Sequence, residues 1–377
     1  MEWVKLGELV DIKTGKLNAN AAVPNGKYPF FTTAQEISYI DSYSYDDEVV
    51  LVAGNGDLNV KYYEGKFDAY QRTYILTKKE NVELNLKFLY FFMSDYVKIL
   101  RSQSIGGVIK YIKLENLTEA KIPLLSFAQQ TIIVDMLNKA ESLKEFRKEQ
   151  IKVSDNLIES LFFEMFGDFK TIDDNKKIKL SEIVTVRSSS RVFKKDLLNK
   201  GIDFYRGQEI SNLSNNEFEK SQYFISEELY EEMKEKSGVP KVGDLLLPSI
   251  ASDGQIWVVD TNEKFYFKDG RVLWISIDDG SKINSIYLKF ILRDMFKRDF
   301  NNIASGTTFK ELKIFLLKDL EVTYVPIELQ NKFADYVIKI EEEKKKLNSS
   351  LKELEDLFDA LLQNAFSGNL FKDWEGR

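Results

Sequence analysis

The sequence predicts an α+β chain in which two mixed α/β segments, arranged as a tandem repeat, alternate with two long helices. Three observations predict it: an ordered internal repeat, short β-like runs in each half, and a sustained heptad pattern after each mixed segment.

The repeat comes first. Gln35-Glu36-Ile37-Ser38 recurs as Gln208-Glu209-Ile210-Ser211, and Lys5–Val10 matches Lys179–Val184. Further on, Gly106 pairs with Gly306, Lys110 with Lys310, Leu117 with Leu317 and Gln130 with Gln330, and the register holds through Phe166 and Phe366. The separation is 174 residues at Lys5 and Lys179 and 200 at Gly106 and Gly306, so the second half carries an insertion near Asn212–Val239. That insertion holds a helical stretch, Ser226–Gly238, with a serine cap at one end and a glycine at the other.

The β-like runs are Glu48–Ala53, Thr73–Leu76, Asp244–Pro248, Ile256–Val259 and Val272–Ile277, punctuated by Gly, Asn and Asp. The first long helix is expected to start at the capping box Ser126–Gln129 and stop near Gly167. The second is expected to start at Pro326 and stop near Gly368. About forty helical residues make a rod of roughly 60 Å. The resulting division is 1–122 and 178–322 for the mixed segments, 123–168 and 323–370 for the helices, and 169–177 for a linker.

A seam runs along the second helix through Phe333, Val337, Ile340, Lys344, Leu347, Leu351, Leu354, Phe358, Leu361 and Ala365. The first repeats it less cleanly: Ile133, Leu137, Ala140, Lys144, Arg147, Ile151, Ser154, Ile158, Leu161 and Met165. The spacing fits a helix–helix seam; two amphipathic helices, each packed on its own segment, are the competing arrangement.

Composition narrows the function. With 44% hydrophobic and 13% aromatic residues the chain can build real cores. It has no cysteine, hence no disulfide or thiolate site, which fits a reducing cytoplasm. Its first residues carry no signal-peptide pattern, and no apolar stretch approaches a membrane span. Histidine is also absent, which removes the commonest general base and metal ligand. The net charge of −7 means that a nucleic-acid binder of this composition must gather its Lys and Arg on one face or borrow charge from partners.

No phosphate loop of the GxxxxGK[ST] type, no Asn-Pro-Pro or Asp-Pro-Pro motif and no GxGxxG turn occurs, so no catalytic residue, metal ligand or cofactor is assigned. A nuclease-like trio, Asp57 with Glu64 and Lys66, is weighed against an ordinary hairpin turn.

The arrangement resembles the specificity subunit of type I restriction–modification systems. Ala120–Gln130 is similar to that family's proline-containing entry into its helical region, with Leu320–Gln330 a looser copy. Phe162–Gly167 and Leu361–Gly368 resemble its two helix endings. Gly306–Lys310, with Thr308 inside it, resembles the glycine–hydroxyl loop closing a target recognition domain. The resemblance implies two target recognition domains held apart by an antiparallel coiled coil. Each would read one half of a bipartite site in double-stranded DNA. The coiled coil would dock two methyltransferase subunits that bind S-adenosylmethionine and methylate adenine, and a motor subunit would supply ATP-dependent restriction. A rod of roughly 60 Å then limits half-site spacing to under about two DNA turns.

Candidate DNA-contacting residues recur in both halves. Gln35 and Gln208 follow aromatic pairs, Arg206 precedes Gln208 by two residues, and Arg72 and Arg271 precede matching β-runs. Glutamine can bond an adenine edge and arginine a guanine edge in bidentate fashion. Lys110, Thr308 and Lys310 belong to the glycine loops, where the lysines suit phosphate contact. An identical tetrapeptide in both halves also fits a structural role, because domains reading different sequences should differ at their base contacts. Beside the DNA reader stands a coiled-coil protein–protein scaffold without DNA binding.

Overall fold

A computed structural model describes residues 2–167, 177–218, 220–250, 254–306, 310–367 and 370. The chain divides into two compact units, Met1–Ile151 with Lys346–Arg377, and Lys152–Lys345.

In the first unit, β1 (Trp3–Lys5) leads through a single turn, α1 (Leu6–Leu9), into β2 (Val10–Thr14). Then come β3 (Tyr28–Phe31), β4 (Ser38–Ile40), β5 (Tyr45–Ala53), β6 (Val60–Ala69) and β7 (Thr73–Lys78). Helices α2 (Leu86–Gln103) and α3 (Leu114–Thr118), strand β8 (Lys121–Pro123) and the long helix α4 (Phe127–Phe166) follow. Six strands form one sheet in the order β2-β7-β5-β6-β3-β4, and β1 pairs with β8.

Strand alternation assigns the faces of β5. Val50 and Val52 join the core beneath α2, while Val49 and Leu51 pack on the other face with Phe31, Phe67 and Ile75. The α2 core is closed from far along the chain: Phe366 meets Phe88 at 5.4 Å and Phe92 at 5.5 Å, ring centre to ring centre.

The second unit repeats this plan. It runs through β9 (Lys177–Lys179), β10 (Thr185–Arg187), β11 (Ile202–Tyr205), α5 (Gly207–Ser214), β12 (Phe224–Ile225) and α6 (Glu227–Ser237). It continues with β13 (Leu245–Pro248), β14 (Trp257–Val258), β15 (Phe265–Phe267), β16 (Val272–Ser276), α7 (Ser285–Ile303), α8 (Ile314–Asp319), β17 (Glu321–Thr323) and α9 (Ile327–Ser367). The pairs β9–β17, β10–β16, β16–β13 and β13–β14 match β1–β8, β2–β7, β7–β5 and β5–β6. The parallel pair β3–β6 has its counterpart in β11–β15. The difference lies in β6. It pairs with both neighbours as one ten-residue strand, whereas its counterpart is broken into β14 and β15, and the sheet splits into a four-stranded and a three-stranded sheet. The inserted helix is α6, capped by Ser226, whose hydroxyl accepts the Leu229 N–H, and ended by Gly238 at φ 76°.

The long helices begin and end on their sequence signals. Ser126 Oγ accepts the Gln129 N–H and Gln129 Oε1 accepts the Ser126 N–H, a reciprocal capping box. Gly167 follows α4 at φ 73°, and the first turn of α9 closes on the Pro326 carbonyl. The two helices pair. On α9 the contacts fall on seam positions such as Phe333, Lys344 and Phe358. Near the end of α4 they fall one residue past the expected seam, on Asp155 and Phe162, because Phe162 and Phe166 are the residues buried there. In the first unit Lys144, on the N-terminal part of α4, lies 4.1 Å from the ring of Phe358 near the end of α9. In the second, Phe162 near the end of α4 meets Phe333 near the start of α9 at 5.4 Å, and Asp155 pairs with Lys344. The pairing is therefore antiparallel. Each helix is also packed on a globular part through its ends, so both expected arrangements contribute.

One buried side chain joins each long helix to its unit, in the same way twice. Gln130 Oε1 accepts the Asn85 N–H at 2.8 Å, while its amide donates to the Glu83 and Leu125 carbonyls. Gln330 does the same with the Asn284 N–H at 2.8 Å and the Lys282 and Val325 carbonyls. Asn85 and Asn284 in turn cap α2 and α7.

Candidate nucleic-acid interface

In the first unit the segment after β5, Gly54–Asp57, gathers the predicted residues. The Gly54 N–H donates to the Arg72 carbonyl (2.8 Å), the Ile112 N–H donates to the Gly54 carbonyl (2.9 Å), and the Gly56 N–H donates to the Lys110 carbonyl (2.9 Å). A Cβ at position 54 would lie 2.5 Å from the Arg72 carbonyl oxygen, so only glycine fits. Gln35 donates to Asp57 Oδ2 (3.0 Å) and Arg101 to Asp57 Oδ1 (3.0 Å). The Gln35 hydrogen bond and the Arg101 charge hold the Asp57 carboxyl below the usual range. Gln35, Arg72 and Lys110 thus meet around one backbone segment, and all three are exposed. Lys110 ends a loop whose neck is a mutual backbone pair, Ile105 with Tyr111.

The second unit has the same hub built on a serine. The Ser249 N–H donates to the Arg271 carbonyl (2.9 Å) and the Leu312 N–H donates to the Ser249 carbonyl (2.7 Å). Ser305 and Glu311 form the mutual pair. Beside the hub opens a cleft of about 740 Å³ lined by Arg206, Gln208, Ser249, Gln255, Lys268 and Arg271 among others. Three of the predicted residues, Arg206, Gln208 and Arg271, therefore share one wall-to-wall space. Arg206 is held at both faces: its guanidinium pairs with the buried Glu209 carboxylate at 3.1 Å and stacks on the Tyr223 ring at 4.1 Å. Arg271 pairs with Glu311, which also takes Lys313; the lysine hydrogen bond is the main reason that the Glu311 carboxyl stays low. Lys310 directly precedes Glu311, outside the cleft lining. Thr308 lies outside the described residues.

The identical tetrapeptide does not give identical structure. Gln35–Ile37 form an irregular loop leading into β4, whereas Gln208–Ser211 lie in α5, where Gln208 bonds Asn212 one turn on at 2.9 Å. The reason is local. The Glu209 carboxylate accepts the Arg206 N–H and the Arg206 guanidinium at the start of α5, and Ile210 is buried on the sheet beneath it.

Lys268, Gln255 and Ser249 were not legible as site residues. Lys268 had a signal in hindsight, since it stands three residues before Arg271. Ser249 had none, because its role is played by backbone atoms and its counterpart is a glycine. The nuclease-like trio does not assemble. Asp57 is engaged by Gln35 and Arg101, and Lys66 lies over the Tyr43 ring on the far part of β6. Among the described residues no group of three or more acidic side chains could hold a metal ion, and no helix is long and apolar enough to cross a membrane. An open, solvent-facing cleft with guanidinium, ammonium and carboxamide groups suits a polyanion that also offers hydrogen-bonding edges.

Comparison with known proteins gives a consistent picture. The family model described as type I restriction modification DNA specificity domain matches residues 1–153 and 172–355. The type I restriction enzyme EcoDI specificity subunit of Escherichia coli is 26% identical over 99% of this chain and 90% of its own length. A putative type I restriction enzyme specificity subunit of Haemophilus influenzae is 26% identical over 90% of this chain and 88% of its own. Among solved structures, a type I restriction–modification S subunit from M. genitalium superposes with a TM-score of 0.62 at 19% identity, covering 97% of this chain and 96% of that one. A chain from a study of complex assembly and conformational transition of the type I R-M system gives 0.60 at 15% identity, covering 97% of both chains. At these identities the structural likeness speaks to the fold.

Proposed function

This chain belongs to the type I restriction–modification DNA specificity family, and from that premise we propose that it is the DNA-reading, non-catalytic subunit of a methyltransferase and restriction complex. Residues 1–122 and 178–322 act as two target recognition domains, each taking one half of a bipartite site in double-stranded DNA. Helices 123–168 and 323–370, with the linker 169–177, set the spacing between the halves and dock two adenine methyltransferase subunits; motor subunits add restriction where they are present. The assembly works in the cytoplasm. Chemistry and its cofactors belong to the partners.

The observation that carries the reading is the hub. The same backbone pattern recurs in both units, and in each it gathers candidate readers: Gln35, Arg72 and Lys110 around Gly54–Asp57, and Arg206, Gln208 and Arg271 in the cleft beside Ser249, with Lys310 next to Glu311. Thr308, in the same loop as Lys310, completes the set from the family resemblance. The shared scaffold suits two readers of one design, and the difference between their half-sites falls to residues that do not recur, such as Arg206 and Lys268 in the second cleft.

The test is mapping of methylated sites with variants in the assembled complex. Arg72→Ala relaxes one half-site and Arg271→Ala the other, each at a cost of about 1–3 kcal/mol in binding if the guanidinium reads a base edge. Lys110→Ala and Lys310→Ala weaken all sequences alike. An Arg72→Ala complex altered in both half-sites overturns the division of labour. A wild-type complex that shows no DNA binding leaves a protein scaffold in its place.

A further inference from the structure

The segment following β10 concentrates positive charge in a chain whose net charge is −7. Between Ser188 and Lys200 stand Arg191, Lys194, Lys195 and Lys200 against a single acid, Asp196. Its root is fastened along residues 266–272. Ser188 Oγ donates to the Val272 carbonyl (3.0 Å) and accepts the Gly270 N–H (3.2 Å), Ser189 Oγ donates to the Phe267 carbonyl (2.7 Å), and the Ser190 N–H donates to Tyr266 Oη (2.8 Å). Lys268, a residue of the cleft wall, reaches the Val192 carbonyl at 3.4 Å. Val192 is buried, whereas Arg191, Phe193, Lys194 and Lys195 are exposed. Arg191 lies 5.5 Å from the Phe193 ring. Asp196 is occupied in a local turn, accepting the Phe193 N–H. The apolar residue therefore pins the loop, and the exposed cations flank Val192, whose carbonyl Lys268 of the cleft wall reaches.

The corresponding segment of the first unit crosses the matching turn, with the Leu17 N–H on the Ala69 carbonyl and the Gln71 N–H on the Leu17 carbonyl. Between Gly15 and Lys27 it carries two cations, Lys16 and Lys27, and no acid.

We propose that Arg191, Lys194 and Lys195 form an arm that grips the phosphodiester backbone flanking the half-site of the second unit. The inference rests on the reading that the cleft of the second unit faces DNA. Free, solvated cations with no built pocket suit phosphate oxygens, which carry charge but no sequence. They also answer the acidic composition, since the positive charge need be present only where the backbone passes.

The test uses the full chain assembled with its methyltransferase subunits. Binding to duplexes with and without the mapped site is measured from about 50 to 500 mM salt for the Arg191→Gln/Lys194→Gln/Lys195→Gln triple variant, for Lys16→Gln and for Arg271→Ala. Each lost phosphate contact shallows the log–log salt slope by about 0.9, which is about eightfold in affinity at 0.1 M relative to 1 M salt. The triple variant should lose two to three such contacts on every duplex and keep the methylated sequence, and Lys16→Gln should lose at most one. An unchanged slope with an intact melting profile overturns the arm, as does an altered methylated sequence, which would mean base reading. If Arg271→Ala weakens binding while the triple variant does not, the arm alone falls. If neither has any effect, the cleft is not the DNA face and the underlying reading falls with it.

Discussion

Replacing Gln330 by leucine should unlatch α7 from α9. Gln330 is fully buried, so water cannot take over its three hydrogen bonds. The Asn284 N–H and the Val325 carbonyl, each held at 2.8 Å, would be left without partners; the Lys282 carbonyl at 3.4 Å contributes little. Each buried backbone group so orphaned costs roughly 1–3 kcal/mol. Leucine gains some apolar burial in exchange, so the net loss should be about 2–5 kcal/mol. The damage extends to the Asn284 cap, because the same residue that loses its N–H partner accepts from Ile286 and Tyr287. Tryptophan fluorescence in urea reports on the second unit through Trp257 and Trp274, which are buried there; Trp3 of the first unit is half exposed and Trp374 lies outside the described residues. Hydrogen exchange at the Asn284 amide checks the latch itself. A loss under about 1 kcal/mol with the Asn284 amide still protected would refute the idea that this glutamine, and Gln130 with it, is a structural latch.

Three further outcomes follow from the same geometry. Residues 1–170 alone lack Leu362, Ala365 and Phe366, which complete the core beneath α2, so the fragment should dimerise and supply the repeat-equivalent Phe162, Met165 and Phe166 from a second copy; sedimentation showing a stable monomer at micromolar concentration contradicts this. Lys289 has its pKa lowered by desolvation and then by Arg293 and Lys344, against the opposing pull of Glu341 and Asp260. The unfolded chain therefore binds more protons between the lowered pKa and 10.5, and stability rises with pH across that window. Lys289→Met should thus stabilise at pH 7, with a benefit that shrinks toward pH 10.5, as a pH series of urea melts would reveal. Mass measurement of the reconstituted complex should give two methyltransferase subunits per chain; a one-to-one assembly goes against the two-domain docking scheme.

The sequence signals that proved reliable are the ones with short-range causes. Ser126 with Gln129, Gly167, Pro326 and the Ser226–Gly238 frame act through a few neighbouring backbone groups, and each sits where its motif places it. Strands β13, β14 and β16 likewise lie in the predicted runs, and β5 and β7 cover theirs with three residues more at the start and two more at the end, respectively, because their apolar residues serve two buried faces. What escaped is decided by distant partners. Gln35 and Gln208 look equivalent, yet one is drawn to Asp57 across the sheet and the other sits in a helix nucleated by Arg206 and Glu209. The split of β6 into two strands, the cleft itself and the Gly54/Ser249 hub depend on backbone atoms that residue type does not announce.

The core of the first unit also imposes an order of events on synthesis. Phe88 and Phe92 are made early, but the ring that covers both is Phe366, which leaves the ribosome some 270 residues after Phe92. At roughly 5–20 residues per second, that is a wait of about fifteen to fifty-five seconds. During it, α2 presents an apolar surface that its own chain cannot yet cover, while the second unit is produced and completed in between. The first unit to be translated is thus the last to be finished. A nascent chain stalled or cut before Leu362 would damage the half of the molecule encoded at the opposite end of its gene, and two unfinished chains held close on one message could trade their helices.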